Sequence, residues 1–99
     1  MDLNVHSVHF HADHKLVDFI NGKVGKLELY FDKIISGEVF LKVDDTNGSD
    51  NKIAEIRLFI RGNDLYAKKQ SKTFEEATDT AVDALKRQIS KHKSKLKTR

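Results

Sequence analysis

Cysteine and proline are both absent from this 99-residue chain. Without cysteine there is no disulfide framework, thiolate nucleophile or thiolate zinc site, and only His and carboxylates are left to ligate a metal. Without proline, and with only five Gly among 38% hydrophobic and 33% charged residues, the composition suits continuous helices and strands rather than a loop-rich or disordered chain. No apolar run approaches membrane-spanning length, and Met1-Asp2-Leu3-Asn4-Val5-His6 has neither the basic nor the apolar region of a leader. The expectation is a soluble, cytoplasmic, monomeric protein of one domain, residues 1–99, with no membrane partner. A Ser/His/Asp order, a phosphate-cradling glycine loop and an apolar-flanked carboxylate pair are also missing, so neither an enzyme nor a cofactor is expected.

The most telling absence is local. No Asp or Glu follows Asp83, and the last fourteen residues carry seven Lys or Arg, a formal +7, whereas everything before them nets −4. An overall charge of +3 is therefore a basic C-terminal stretch on a mildly acidic body, with the positive charge gathered where a phosphate backbone can be gripped.

Periodicity predicts the elements. Leu3 and Val5 alternate with Asn4 and His6 as a short strand. Asp13 is a candidate N-cap before a 3.6-residue stripe at Leu16, Ile20, Val24, Leu27, Phe31 and Ile34, read as one long helix with a soft spot or close contact at Gly22 and Gly25. From Ser36 the period becomes two, with Val39, Leu41 and Val43 facing in and Glu38, Phe40 and Lys42 facing out. The run from Asp44 to Asn51 is dense in turn formers and predicts a hairpin with its tip at Asn47-Gly48. Ile56, Leu58 and Ile60, and then Leu65 and Ala67, mark the inner faces of two more strands, with Glu55, Arg57, Phe59, Arg61, Tyr66 and Lys68 outside. Thr73 and Glu76 form a capping-box pattern ahead of a second helix whose core stripe reads Phe74, Ala77, Ala81, Leu85, Ile89, His92 and Leu96. The predicted fold class is α+β: a β-α-β-β-β-α two-layer domain, its four-stranded sheet carrying both helices on one face.

On the second helix, 100° per residue places Arg87, Lys91 and Lys97 opposite the core stripe, with Lys86, Lys93 and Lys95 widening the basic arc. On the first, Lys23, Lys26, Tyr30 and Lys33 are spaced three, four and three, a polar stripe that includes an aromatic ring. Two helices on one sheet can present these stripes side by side as a reader of shape and charge, suited to structured RNA. Two alternatives use other residues. His6, His9, His11 and His14 form a histidine run that would be a metal site if their imidazoles converged, with His9 and His11 on one strand face. Phe40, Phe59 and Tyr66, outward on the sheet, would serve a protein-interaction module.

The stretches Lys23-Val24-Gly25-Lys26-Leu27-Glu28-Leu29-Tyr30-Phe31-Asp32-Lys33-Ile34 and Asp83-Ala84-Leu85-Lys86-Arg87-Gln88-Ile89-Ser90-Lys91-His92-Lys93-Ser94-Lys95-Leu96-Lys97 closely resemble the ribosome hibernation-promoting factor family, to which the protein Y type of translation inhibitor is related. The resemblance runs through essentially the whole chain, including Leu3-Asn4-Val5 and Leu41-Lys42-Val43. It implies a domain similar to double-stranded-RNA-binding domains, docked on the small ribosomal subunit and its rRNA near the decoding centre, where it excludes mRNA and tRNA and holds ribosomes inactive in resting cells. It implies RNA contacts at Lys23, Lys26, Tyr30 and Lys33, and at Arg87, Lys91, His92, Lys93, Lys95 and Lys97. It also implies a short form without the C-terminal dimerisation domain of longer members, for which ribosome pairing would need a separate small ribosome-dimerising factor.

Overall fold

In the computed structural model, which describes residues 1–46 and 48–97 and the side chains as far as Lys95, the order is β1 (Asp2–Ser7), α1 (His14–Gly25), β2 (Ile34–Val43), β3 (Lys52–Ile60), β4 (Asn63–Ser71) and α2 (Phe74–Lys97). The strands lie side by side in chain order. β1 pairs parallel to β2, and β2, β3 and β4 form an antiparallel meander. A parallel neighbour needs a crossover, which α1 supplies. The result is the expected α+β two-layer domain with a mixed sheet.

Strand alternation decides what is buried. Val39, Leu41, Ala54, Ile56, Leu58, Leu65 and Ala67 face the helices, which close the core with Ile20 and Val24 from α1 and Phe74, Ala77, Ala81, Leu85 and Ile89 from α2. Core-facing Gly37 pairs with Leu3 on one side and Leu58 on the other. A Cβ there would sit 2.9 Å from a Leu58 methyl and 3.0 Å from a Leu3 methyl. Those two leucines fill the space that a side chain would need.

The first helix differs from expectation. α1 is capped by the Asp13 carboxylate, which accepts from the Leu16 N–H at 2.9 Å, but it ends at Gly25 and gives way to a 3₁₀ turn over Lys26–Leu29. Gly22 and Gly25 make no close packing contact, since an added Cβ at either meets open space; their poor helix propensity instead coincides with the end of the helix. Leu27, Phe31 and Ile34 are nonetheless buried, each from a different local structure: the 3₁₀ turn, the connection and the first residue of β2. Ile34 reaches the core because the β2–β3 register shifts between Ile34 and Ser36. That bulge resets the inside-outside alternation and leaves Ile35 exposed.

The hairpin between Val43 and Lys52 is closed by an Asp44 N–H to Asn51 carbonyl bond of 2.8 Å; Asn47, half of its expected tip, lies outside the described residues. α2 begins as its capping box predicts, with the Thr73 hydroxyl accepting from the Glu76 N–H at 3.0 Å. Farther along α2, the Gln88 side-chain amide donates to the Tyr66 carbonyl at 2.7 Å and accepts from the Tyr66 N–H at 3.2 Å, fastening the helix to the outer edge of β4.

Candidate nucleic-acid interface

Chain direction brings three segments to one end of the domain. α1 runs back toward the start of β2, β3 ends where β4 begins, and α2 passes over both with its basic half. The connection between the 3₁₀ turn and β2 is held by α2 at two points seven residues apart, two helical turns on one face. The Lys86 ammonium stands 4.9 Å from the Tyr30 ring centroid, and the Lys93 ammonium donates to the Tyr30 carbonyl at 2.8 Å. Between them the His92 imidazole meets the buried Phe31 ring edge-on, 5.4 Å between centroids, so the last member of the α2 stripe within the described side chains lies half in the core and half at this surface.

Lys33 borders two adjoining depressions. One, about 380 Å³, is lined by the connection from Glu28 to Lys33 and by Lys93; the other, about 210 Å³, by Phe31, Lys33, Ile60, Arg61 and His92. The cations are open to a partner. Lys26, Lys33, Arg61, Arg87 and Lys91 are exposed, and none forms an ion pair among the described residues. Lys95 is exposed at the same end of α2. With no acid after Asp83, α2 brings no internal neutralisation to this end. Glu28 is satisfied elsewhere, by the N-terminal ammonium at 2.7 Å.

Two sequence expectations change. The stripe Lys23, Lys26, Tyr30, Lys33 is not a helix face, since α1 stops at Gly25; the four residues sit on α1, the 3₁₀ turn and the connection. Lys23 stands apart, paired with Asp79 at 3.2 Å and lying over the Phe19 ring at 5.7 Å. Arg61, read as an ordinary outward residue of the third strand, joins Lys33 and His92 at the end of the sheet. Its signal was positional: a cation just past a strand that must finish where the first helix hands over to β2. Lys97 has its side chain outside the described residues.

The alternatives fare differently. The histidines do not converge, and among the described residues no three His, Cys, Asp or Glu come together as a metal site. β1 ends at Ser7 and His9 takes a left-handed turn with φ 65°, so His9 and His11 share no strand face; His6 stacks on Phe40 with centroids 4.8 Å apart. The outward sheet residues form an internally matched belt. Lys42 pairs with Glu55 at 2.7 Å, the Tyr66 hydroxyl donates to Glu55 at 3.1 Å, Arg57 lies 5.2 Å from the Tyr66 ring and 3.4 Å from Asp64, and His6 is 3.7 Å from Glu38. Burial pulls the Glu55 carboxyl up, yet hydrogen bonds from Lys42 and Tyr66 together hold it below its ordinary range. The same contacts raise Lys42, chiefly through its hydrogen bond to Glu55, while Tyr66 is raised first by burial and then by donating to Glu55.

Fold and surface together define a class: a small α+β domain with a mixed sheet, at one end of which three chain segments bring together exposed cations that have no ion pair among the described residues. Residues 3–97 match the family model described as Sigma 54 modulation protein / S30EA ribosomal protein. A ribosome hibernation promoting factor from Klebsiella oxytoca is 33% identical over 97 residues, spanning 98% of each chain. Among solved structures, a ribosomal subunit interface protein from Coxiella burnetii superposes with a TM-score of 0.85 at 17% identity, over 95% of this chain and 99% of that one. The Thermus thermophilus Protein Y N-terminal domain gives 0.78 at 20%, over 93% and 99%. The chain belongs to the Sigma 54 modulation protein / S30EA ribosomal protein family, which includes the ribosome hibernation promoting factors. That family is one of ribosome-associated factors and not of enzymes.

Proposed function

We propose that this protein is a cytoplasmic ribosome hibernation factor that lodges on the small subunit near the decoding centre, its basic end against rRNA, where it excludes mRNA and tRNA and keeps the ribosome inactive. The observation that carries this reading is the set of exposed cations without ion pairs among the described residues, Lys26, Lys33, Arg61, Arg87 and Lys91, drawn from three segments to one end. An ammonium or guanidinium with no carboxylate beside it has its full charge to offer a phosphate. Five such groups imply a log–log salt slope of about −3 to −5. Lys86, His92 and Lys93 shape the same surface, and Lys95 extends it along α2. Lys23, already paired with Asp79, adds less.

The mechanism is steric exclusion guided by charge. Long-range attraction speeds the encounter, phosphate contacts fix orientation, and the rigid grip of α2 on the Tyr30 connection sets the shape that fits. The deciding experiment is co-sedimentation with purified bacterial small subunits and whole ribosomes across a salt series, comparing wild type with the Arg87→Ala/Lys91→Ala/Lys95→Ala variant. Salt-sensitive small-subunit binding that the variant loses and that bound mRNA and tRNA block is the expected outcome. Absence of binding at low salt would overturn the reading.

A further inference from the structure

Leu29 is 85% exposed and Tyr30 49%, and they are consecutive on the wall of the 380 Å³ depression. Either alone would be an ordinary surface residue. Here they share a hollow with Phe31, with two ammonium groups, Lys33 and Lys93, and with the carboxylates of Glu28 and Asp32. Lys33 has no hydrogen-bond or ion-pair partner among the described residues. Lys93 uses one of its three donors on the Tyr30 carbonyl, leaving two. Lys86 stands over the Tyr30 ring but does not line the hollow, whereas Tyr30 does. An aromatic ring with a cation on one side is a strong stacking platform for a second flat π-system. Asp32, on the same rim, is an acceptor without a partner among the described residues and suits the amino group of a base.

We propose that this hollow is a single-nucleotide site: it takes one unpaired, extruded nucleotide of the bound RNA, with the base against Leu29 and Tyr30 and its phosphate on Lys33 and Lys93. The inference deepens the ribosome-binding reading and rests on it. It adds a recognition element that paired RNA cannot satisfy, because a stacked, paired base has no free face to offer. The volume is at the lower end of the roughly 300–1,000 Å³ of small-molecule pockets, suited to one nucleotide and too small for a folded element. The charge pattern separates a nucleotide from an apolar peptide, since Glu28 is already paired with the N-terminal ammonium and an apolar side chain would give Lys33 and Lys93 no countercharge beyond Asp32.

The test is nuclear magnetic resonance titration of the full chain with guanosine 5′-monophosphate, and with ribose 5-phosphate as the probe lacking a base. The nucleotide is expected to shift the amides of residues 29–33 and saturate, with ribose 5-phosphate at least about fivefold weaker, the lower bound for one stacked base. Tyr30→Ala should weaken nucleotide binding by a similar factor. Leu29→Ser, at a position too exposed to disturb folding, should weaken it about twofold to threefold. Equal shifts from both probes, or no shift at residues 29–33 with the nucleotide, would overturn the proposal. Sedimentation of the same wild-type protein with ribosomes separates the two claims: binding to ribosomes without binding the nucleotide removes only the site, while failure to bind ribosomes removes the broader reading.

Discussion

The outer face of the sheet and the basic end of the domain are built from similar materials, aromatic rings among charged side chains, and they use them in opposite ways. On the sheet, Lys42, Glu55, Tyr66, Arg57 and Asp64 answer one another across neighbouring strands. At the end, Lys33, Arg61, Arg87 and Lys91 face water with no carboxylate partner among the described residues. Cross-strand pairs of opposite charge stabilise the sheet on which they sit, whereas like charges held together cost stability until something neutralises them. Counting cations would not separate the two regions. What distinguishes them is whether the countercharge lies within the same chain.

Charge reversal at the basic end should break the contrast most visibly. Arg87→Glu/Lys91→Glu is expected to weaken ribosome binding about 100-fold or more at moderate salt, with Tm within about 2 °C of wild type because neither side chain is buried. The converse is Glu55→Gln, which breaks the hub of the belt. Tm should fall by about 2–5 °C, with ribosome affinity unchanged in the same sedimentation assay. Its pH dependence has a definite direction. Folding lowers the Glu55 pKa, so its contribution is complete above the ordinary value of 4.5 and disappears as pH falls through the lower folded value. Thermal melts of wild type and Glu55→Gln should therefore differ at neutral pH and converge in acid.

Smaller changes sharpen the comparison. Lys91→Ala should reduce the log–log salt slope by about one unit and leave the melt alone; an unchanged slope would exclude Lys91 as a phosphate contact. Phe40→Ala, which removes the stack on His6, should shift ribosome affinity by less than about twofold. A larger loss would make the sheet face a second contact area and erase the contrast.

Much of the architecture was legible because its signals were local. Alternation at Val39–Leu41 and Ile56–Leu58–Ile60, the turn formers between Asp44 and Asn51, and the Thr73–Glu76 cap each identify an element without reference to the rest. The first helix was misread for a physical reason. Leu27, Phe31 and Ile34 continue the 3.6-residue stripe by coincidence, and burial alone does not tell a helix from a 3₁₀ turn followed by a bulged strand. The basic residues of α2 were legible because one helix orders them. Arg61 was not, because its partnership with Lys33 and His92 depends on which sheet end the three segments share, a property of topology. The grip of Lys86 and Lys93 on Tyr30 was hidden for the same reason.

The Gln88 bond to Tyr66 reaches beyond helix docking. A carboxamide presents a donor and an acceptor in nearly the spacing of a peptide group, so Gln88 behaves as a one-residue counterfeit strand laid along the margin of β4. An open margin of that kind is a template on which another molecule's backbone can add itself. Here an intruding chain would first have to evict Gln88 from both bonds, and it would meet α2 standing over the vacated groups. One glutamine thereby makes growth of the sheet at this margin compete with the packing of the longest helix.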